Sequence, residues 1–281
     1  MNRLCVVVDG LIGLSVTQIS KIKRLQKNLD ETVFVINSYN PYFERFYFFE
    51  SDEFKPAREG HFQMLSKIRE DISQLFINSE NTIEIIEHCE KDLTSFIETL
   101  LEEKEYFLLV LATAELTNRH TIHIETIRAI NCPVMMLTRR GWPKKVNISA
   151  AIDPVHQKDI NTTVDIKILE YARSIASHLN NNLRLVHSRF SPPLLQVFSQ
   201  LIASIHNQSV DHFIETQNVT ESNVDRISGN PEITLPTYVS REGIDLLVIG
   251  SMSRNSTQRQ LVGSTAESLL RDFPCDLLLI K

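Results

Sequence analysis

Short apolar runs alternate along this chain with longer segments in which apolar residues recur every three or four positions. Strand-like runs fall at 3–8, 32–36, 82–86, 107–111 and 133–137. Amphipathic helical patterns fall at 15–28, 52–76, 91–101 and 119–130. In the second of these helices Phe62, Leu65, Ile68, Ile72 and Leu75 share one side. Branched apolar runs without a polar alternate suit strands covered on both faces, and their alternation with helices predicts a mostly parallel sheet flanked by helices. An aromatic-rich stretch at 39–49 has no clean period and is read as cover for a core, with an exposed aromatic patch for a partner as the alternative.

The pattern then starts again. A strand at 146–152, a helix at 161–179, a strand at 183–187 and a longer helix at 193–214 repeat the opening. Residues 218–236 are polar and carry the weakest signal, and a short helix is expected to end near 237–241. A strand at 244–249, a polar loop at 251–260, a helix after Gly263 and a strand at 277–280 close the chain. Asp9 and Asp153, each ending a first strand, lie 144 residues apart, and Cys132 and Cys275, each opening a last strand, lie 143 apart. This near-constant offset indicates duplication. The expected organisation is an N-terminal α/β domain at 1–138, a linker at 139–145 with charge, Gly and Pro, and a C-terminal α/β domain at 146–281. Each domain is expected to hold five strands.

Candidate chemistry concentrates near the C-terminus. Gly250 ends a strand, Arg254 and Arg259 sit in the polar loop, and Gly263-Ser264-Thr265 opens a helix whose apolar face is Ala266, Leu269, Leu270 and Phe273. Glycine at a strand end admits close backbone approach, and N–H groups at a helix N-terminus favour an anion. Ser264 or Thr265 is the expected cap of that helix. Gly250, Ser253 and Gly263-Ser264 stand where nucleotide-binding members of the universal stress protein family carry G-x2-G-x9-G-[ST], with Ser253 in place of the second glycine. The chain resembles tandem members of that family, also through its GWPKK linker and its ending VGSTAESLLRDFPCDLLLIK.

The resemblance implies two Rossmann-like domains and an ATP site in the second, with Mg2+ accompanying the phosphates. It places Asp153 against the ribose or a metal, and Gly250, Ser253, Gly263, Ser264 and Thr265 around the phosphates. Ile249 and Arg254 complete the cofactor-binding set. At the matching place in the first half the sequence reads LVLATAELTNRH, without these glycines and with about five fewer residues before the last strand. That half is expected not to bind nucleotide, leaving Asp9 as a turn or capping residue.

Composition narrows the partners. A net charge of −6 gives no global attraction to nucleic acid or an anionic membrane. No apolar run approaches the roughly 20 residues of a membrane span. The opening MNRLCVVVDG enters a strand without signal-peptide features, so a cytoplasmic location is expected. The four cysteines form no C-x-x-C pair, and Cys5 and Cys275 read as buried thiols. His88, Cys89, His120 and His123 are two pairs rather than a converging ligand set, so zinc is not expected. No catalytic residues are assigned: the chain has neither a G-x-S-x-G elbow nor a kinase signature. The expected protein is a stress-response sensor or regulator that binds ATP reversibly, either a monomer with paired domains or a homodimer, acting on an unknown protein partner. A scaffold or carrier of another small ligand is the alternative.

Overall fold

The computed structural model describes residues 3–39, 51–77, 79–112, 120–156, 163–251, 263–271 and 275–281, without the side chains of 120–123. The chain divides into two compact units, Met1–Gly141 and Trp142–Lys281. In the first, β1 (Arg3–Asp9), α1 (Val16–Leu25), β2 (Glu31–Asn37), α2 (Lys55–Leu75) and β3 (Thr82–His88) are followed by α3 (Leu93–Glu103), β4 (Leu108–Ala112), α4 (His120–Ala129) and β5 (Val134–Leu137). Its strands are parallel and ordered β3-β2-β1-β4-β5.

The second unit holds β6 (Ile148–Ala151), α5 (Val164–His178), β7 (Leu183–Arg189), α6 (Ser199–Thr216) and β8 (Val224–Ser228). It continues through α7 (Pro231–Glu242), β9 (Leu246–Gly250), α8 (Ser264–Arg271) and β10 (Asp276–Ile280). Its parallel strands run β8-β7-β6-β9-β10, the same order as in the first unit. In both, the first strand lies between the second and the fourth, so the winding reverses beside it.

The apolar runs become strands because both of their faces are covered. Leu4 to Val8, all of β4 and all of β10 are buried. Each such Val, Leu or Ile contributes about 1.5–3 kcal/mol relative to exposure. Ser15 and Gln18 close a reciprocal capping box on α1, which satisfies amide donors that have no partner inside the helix.

Three helices differ from their sequence patterns. In α2 the buried stripe is His61, Leu65, Ile68 and Ile72, while Phe62 and Leu75 are exposed. The histidine displaces the phenylalanine because its Nε2 reaches the Ser38 carbonyl at 3.2 Å, an anchor a phenyl ring lacks. The helix expected over 193–214 begins as a 3-10 segment, Pro193–Phe198, and Leu195 departs from helical dihedrals before α6 starts. The weak stretch at 218–236 contains both β8 and the start of α7, a helix with Asn230 as N-cap and Pro231 in its first turn.

A polar network ties three strands and a helix of the second unit together. The Tyr238 hydroxyl donates to Asp225 at 2.7 Å and lies 3.3 Å from the Ser149 hydroxyl. Arg184 donates to both Asp225 oxygens, at 2.9 and 2.5 Å. Burial raises the Asp225 pKa, but the hydrogen bonds from Arg184 and Tyr238 outweigh it and hold the carboxyl below its ordinary range. Burial foremost pushes the Tyr238 hydroxyl up to about 12.

Candidate functional site

The second unit's winding reverses between β6 and β9, and the crevice at their carboxyl ends is where open α/β sheets place ligands. Asp153 follows β6 by two residues, and Gly250 is the last residue of β9. Ser251 continues from Gly250 with its N–H and hydroxyl both donating to the Ile280 carbonyl, and its own carbonyl accepts from Gly263. This chain of bonds brings Gly263 back to the end of β9. Helix α8 begins at Ser264, and the Gly263 carbonyl accepts from Glu267, so Gly263 takes the cap position expected of Ser264 or Thr265. Ser264 is exposed and Thr265 half-buried in that first turn.

Gly250 has a packing role. A Cβ there would meet Val164 Cγ1 at 3.1 Å and Ile168 Cδ1 at 3.5 Å, so the missing side chain lets α5 close onto β9. Ile249 is buried. Ser253, Arg254 and Arg259 lie outside the described residues.

Asp153 has neighbours that sequence reasoning did not connect to it. His187 Nδ1 lies 3.0 Å from the Ile152 carbonyl and 3.9 Å from Asp153 Oδ1, and His187 Nε2 lies 2.8 Å from Nδ1 of His206 on α6. The Asp153 amide donates to Asp165 at 2.9 Å, which fixes the turn after β6. His187 is fully buried and His206 nearly so, whereas 37% of the Asp153 side chain remains exposed. Burial lowers the His187 pKa, assisted by His206 and opposed by Ile152 and Asp153, and the neutral imidazole is favoured. One ligand-capable atom from each of the three side chains lies within 4.8 Å of the others.

The N-terminal unit is built differently at the same place. The Asp9 carboxylate accepts from the Leu11 amide at 2.8 Å, and its carbonyl accepts from Ile12 and Gly13, which makes it a turn former. His88 stacks on Phe96 at 4.5 Å, and Cys89 is exposed. The side chains of His120 and His123, the loop at 113–119 and most of the aromatic stretch, 40–49, lie outside the described residues. Cys5 and Cys275 are buried, and the Cys275 thiol donates to the Asp276 carbonyl at 3.2 Å. A cavity of about 380 Å³ in this unit is lined by Glu98, Glu102, Glu105, Tyr106 and Cys132. It sits at the amino ends of β4 and β5, and its three carboxylates oppose a phosphate ligand.

Residues 165–281 match the sequence profile of the Universal stress protein family. The match runs from α5 through β10 of the second unit. Universal stress protein E of Photorhabdus laumondii is 21% identical over 169 residues, covering 56% of this chain and 54% of that protein. The universal stress protein E homolog of Haemophilus influenzae is 22% identical over 168 residues, with 56% and 54% covered. The chain thus spans about half the length of these curated relatives.

Solved structures extend the likeness of fold. A putative universal stress protein from Pseudomonas aeruginosa superposes with a TM-score of 0.74 at 16% identity, covering 99% of this chain and 92% of its own. A universal stress protein from Archaeoglobus fulgidus gives 0.64 at 15% identity, covering 99% and 98%. At such identities the likeness concerns the fold, two Rossmann-like α/β units. Among the described residues, no helix is long and apolar enough to cross a membrane.

Proposed function

We propose that the second unit is a universal stress protein domain that binds ATP reversibly at the β6–β9 crevice and acts as a cytoplasmic sensor or regulator, while the N-terminal unit, a degenerate copy, binds none. The observation that carries this is the return of Gly263 to the end of β9 through the Ser251 carbonyl, which sets the first turn of α8 beside the crevice that Asp153 borders. The first N–H groups of a helix have no acceptor inside it and favour an anion. Ser264 and Thr265 add hydroxyls there, and Mg2+ would accompany the phosphates.

The test is an ATP titration of chelator-treated, nucleotide-free protein in the presence of Mg2+, with Ser264→Asp as its partner. A carboxylate at a helix's first position favours the helix but repels phosphate. The expected result is saturable binding in roughly the micromolar range, weakened at least about tenfold by the substitution, which corresponds to about 1.4 kcal/mol. Absence of saturable binding, or equal binding by the variant, rejects the proposal.

A second reading, a scaffold or carrier of another ligand, draws on the apolar residues that the second unit exposes. Leu194 and Val197 are 96% and 92% exposed, beside exposed Phe198 and Leu201. Such patches mark interaction surfaces. Mass spectrometry of molecules released on denaturation distinguishes the two: a non-nucleotide ligand favours the carrier.

A further inference from the structure

From the placement of Asp153, His187 and His206 we infer that the second unit holds a divalent transition-metal site of two imidazoles and one carboxylate, suited to Zn2+ or Co2+. Two of the donors come from strand ends and the third from a helix, so the ion would fasten α6 to the ends of β6 and β7. Nothing in this inference depends on nucleotide binding.

The arrangement of the histidines is what makes the site specific. His187 Nδ1 lies 3.0 Å from the Ile152 carbonyl, so it is the nitrogen that carries the proton, and Nε2 presents a lone pair toward His206. Metal-bound histidines characteristically donate their second N–H to a carbonyl or carboxylate in this way, which fixes tautomer and ring orientation. Neighbouring donors on a tetrahedral ion with bonds of about 2.0–2.1 Å lie roughly 3.3 Å apart. The imidazole nitrogens, now 2.8 Å apart, need to open by only about half an ångström to reach that spacing. The carboxylate, within 4.8 Å of them, closes the remaining gap by rotating from its half-exposed position. Two nitrogen donors select against Mg2+ and Ca2+, which take oxygen ligands. With three protein donors, a fourth position stays open on the exposed side of Asp153.

The first unit supplies an internal comparison. It too buries a histidine on the helix after its second strand, His61, but that ring bonds to the Ser38 carbonyl. Ile36 stands opposite Val8 there, one residue before the Asp9–Asn37 pair. Extending the β6–β7 register places His187 opposite Ile152, the matching position. One unit has an isoleucine where the other has the second imidazole, so the donor set is confined to the second unit.

Chelator-stripped protein without nucleotide should bind one equivalent of Co2+ with visible ligand-field absorption, and Zn2+ should displace it. His206→Ala and Asp153→Asn should each weaken Co2+ binding by more than about 100-fold, beyond the 10–100-fold typical of outer-shell partners. His212→Ala, an exposed histidine on the same helix, should leave binding unchanged, as should Ser264→Asp, which acts on the nucleotide proposal alone. Circular dichroism of stripped His206→Ala reports its folding, and the near-isosteric Asp153→Asn keeps the test open if that variant fails to fold. Absence of a one-equivalent Co2+ signal in the wild type, or its persistence in both variants, overturns the site.

Discussion

At the scale of single residues, Gly250 combines a predicted ligand role with an observed packing role. Its absent side chain is replaced by Val164, so Gly250→Ala forces a contact of 3.1 Å in a packed layer. Overpacking of this kind costs about 1–3 kcal/mol, measurable as a lower urea midpoint at unchanged slope. Tyr238→Phe removes a bond to a charged carboxylate and should cost about 1–2 kcal/mol at neutral pH. Because Asp225 is held below its ordinary range, its contribution is present above the unfolded carboxylate pKa of about 3.9 and is lost as pH falls through the lower folded value. Tyr238, raised to about 12, adds stability below its unfolded pKa that is lost as pH rises through the folded one. Stability of Tyr238→Phe against pH should therefore be flatter at both extremes, as denaturant titrations across pH will show. Asp153 and Gly250 were legible from sequence because strand ends carry recognisable punctuation. The His187–His206 contact was not, since the two residues are 19 positions apart and the chain between them must fold before the rings meet. The available signal was a histidine on an apolar stripe, His206 preceding Val210, Phe213 and Ile214 at helical spacing.

At the scale of elements, α7 shows how local chemistry rescues a sequence with a poor apolar pattern. Asn230 accepts from the Glu232 amide, Pro231 occupies the first turn, and Gly243 ends the helix at φ 61°. Gly243 has nothing within 4 Å of a built Cβ, so Gly243→Ala isolates the conformational penalty, about 1 kcal/mol. Asn230→Ala should cost about 1 kcal/mol through the lost cap. Thermal denaturation checks both. These signals were present in the sequence, yet β8, with Asp225 and Arg226 among its five residues, lacks the apolar run that made the other strands readable. Its polar side chains are held by Arg184, Tyr238, Asp211 and Glu221, partners distant or weakly patterned along the chain.

At the scale of the whole molecule, the repeated strand order was foreshadowed by the constant offset between Asp9 and Asp153 and between the closing cysteines. The exposed apolar group of the second unit was not foreshadowed, because a helix over 193–214 does not by itself say which of its apolar residues face a core. Leu194→Ser with Val197→Ser should change stability by no more than about 0.5 kcal/mol while reducing retention on a hydrophobic column.

The central position of the first strand in each sheet governs how synthesis and folding meet. Leu4 takes Leu108 as a neighbour, so β1 leaves the ribosome long before β4 exists. At roughly 5–20 residues per second, one flank of this central strand waits about 5–20 s for its partner, and the second unit repeats the delay when β6 waits for β9. During translation each half passes through an interval in which its central strand has an open flank, and chaperone occupancy on nascent chains should peak twice.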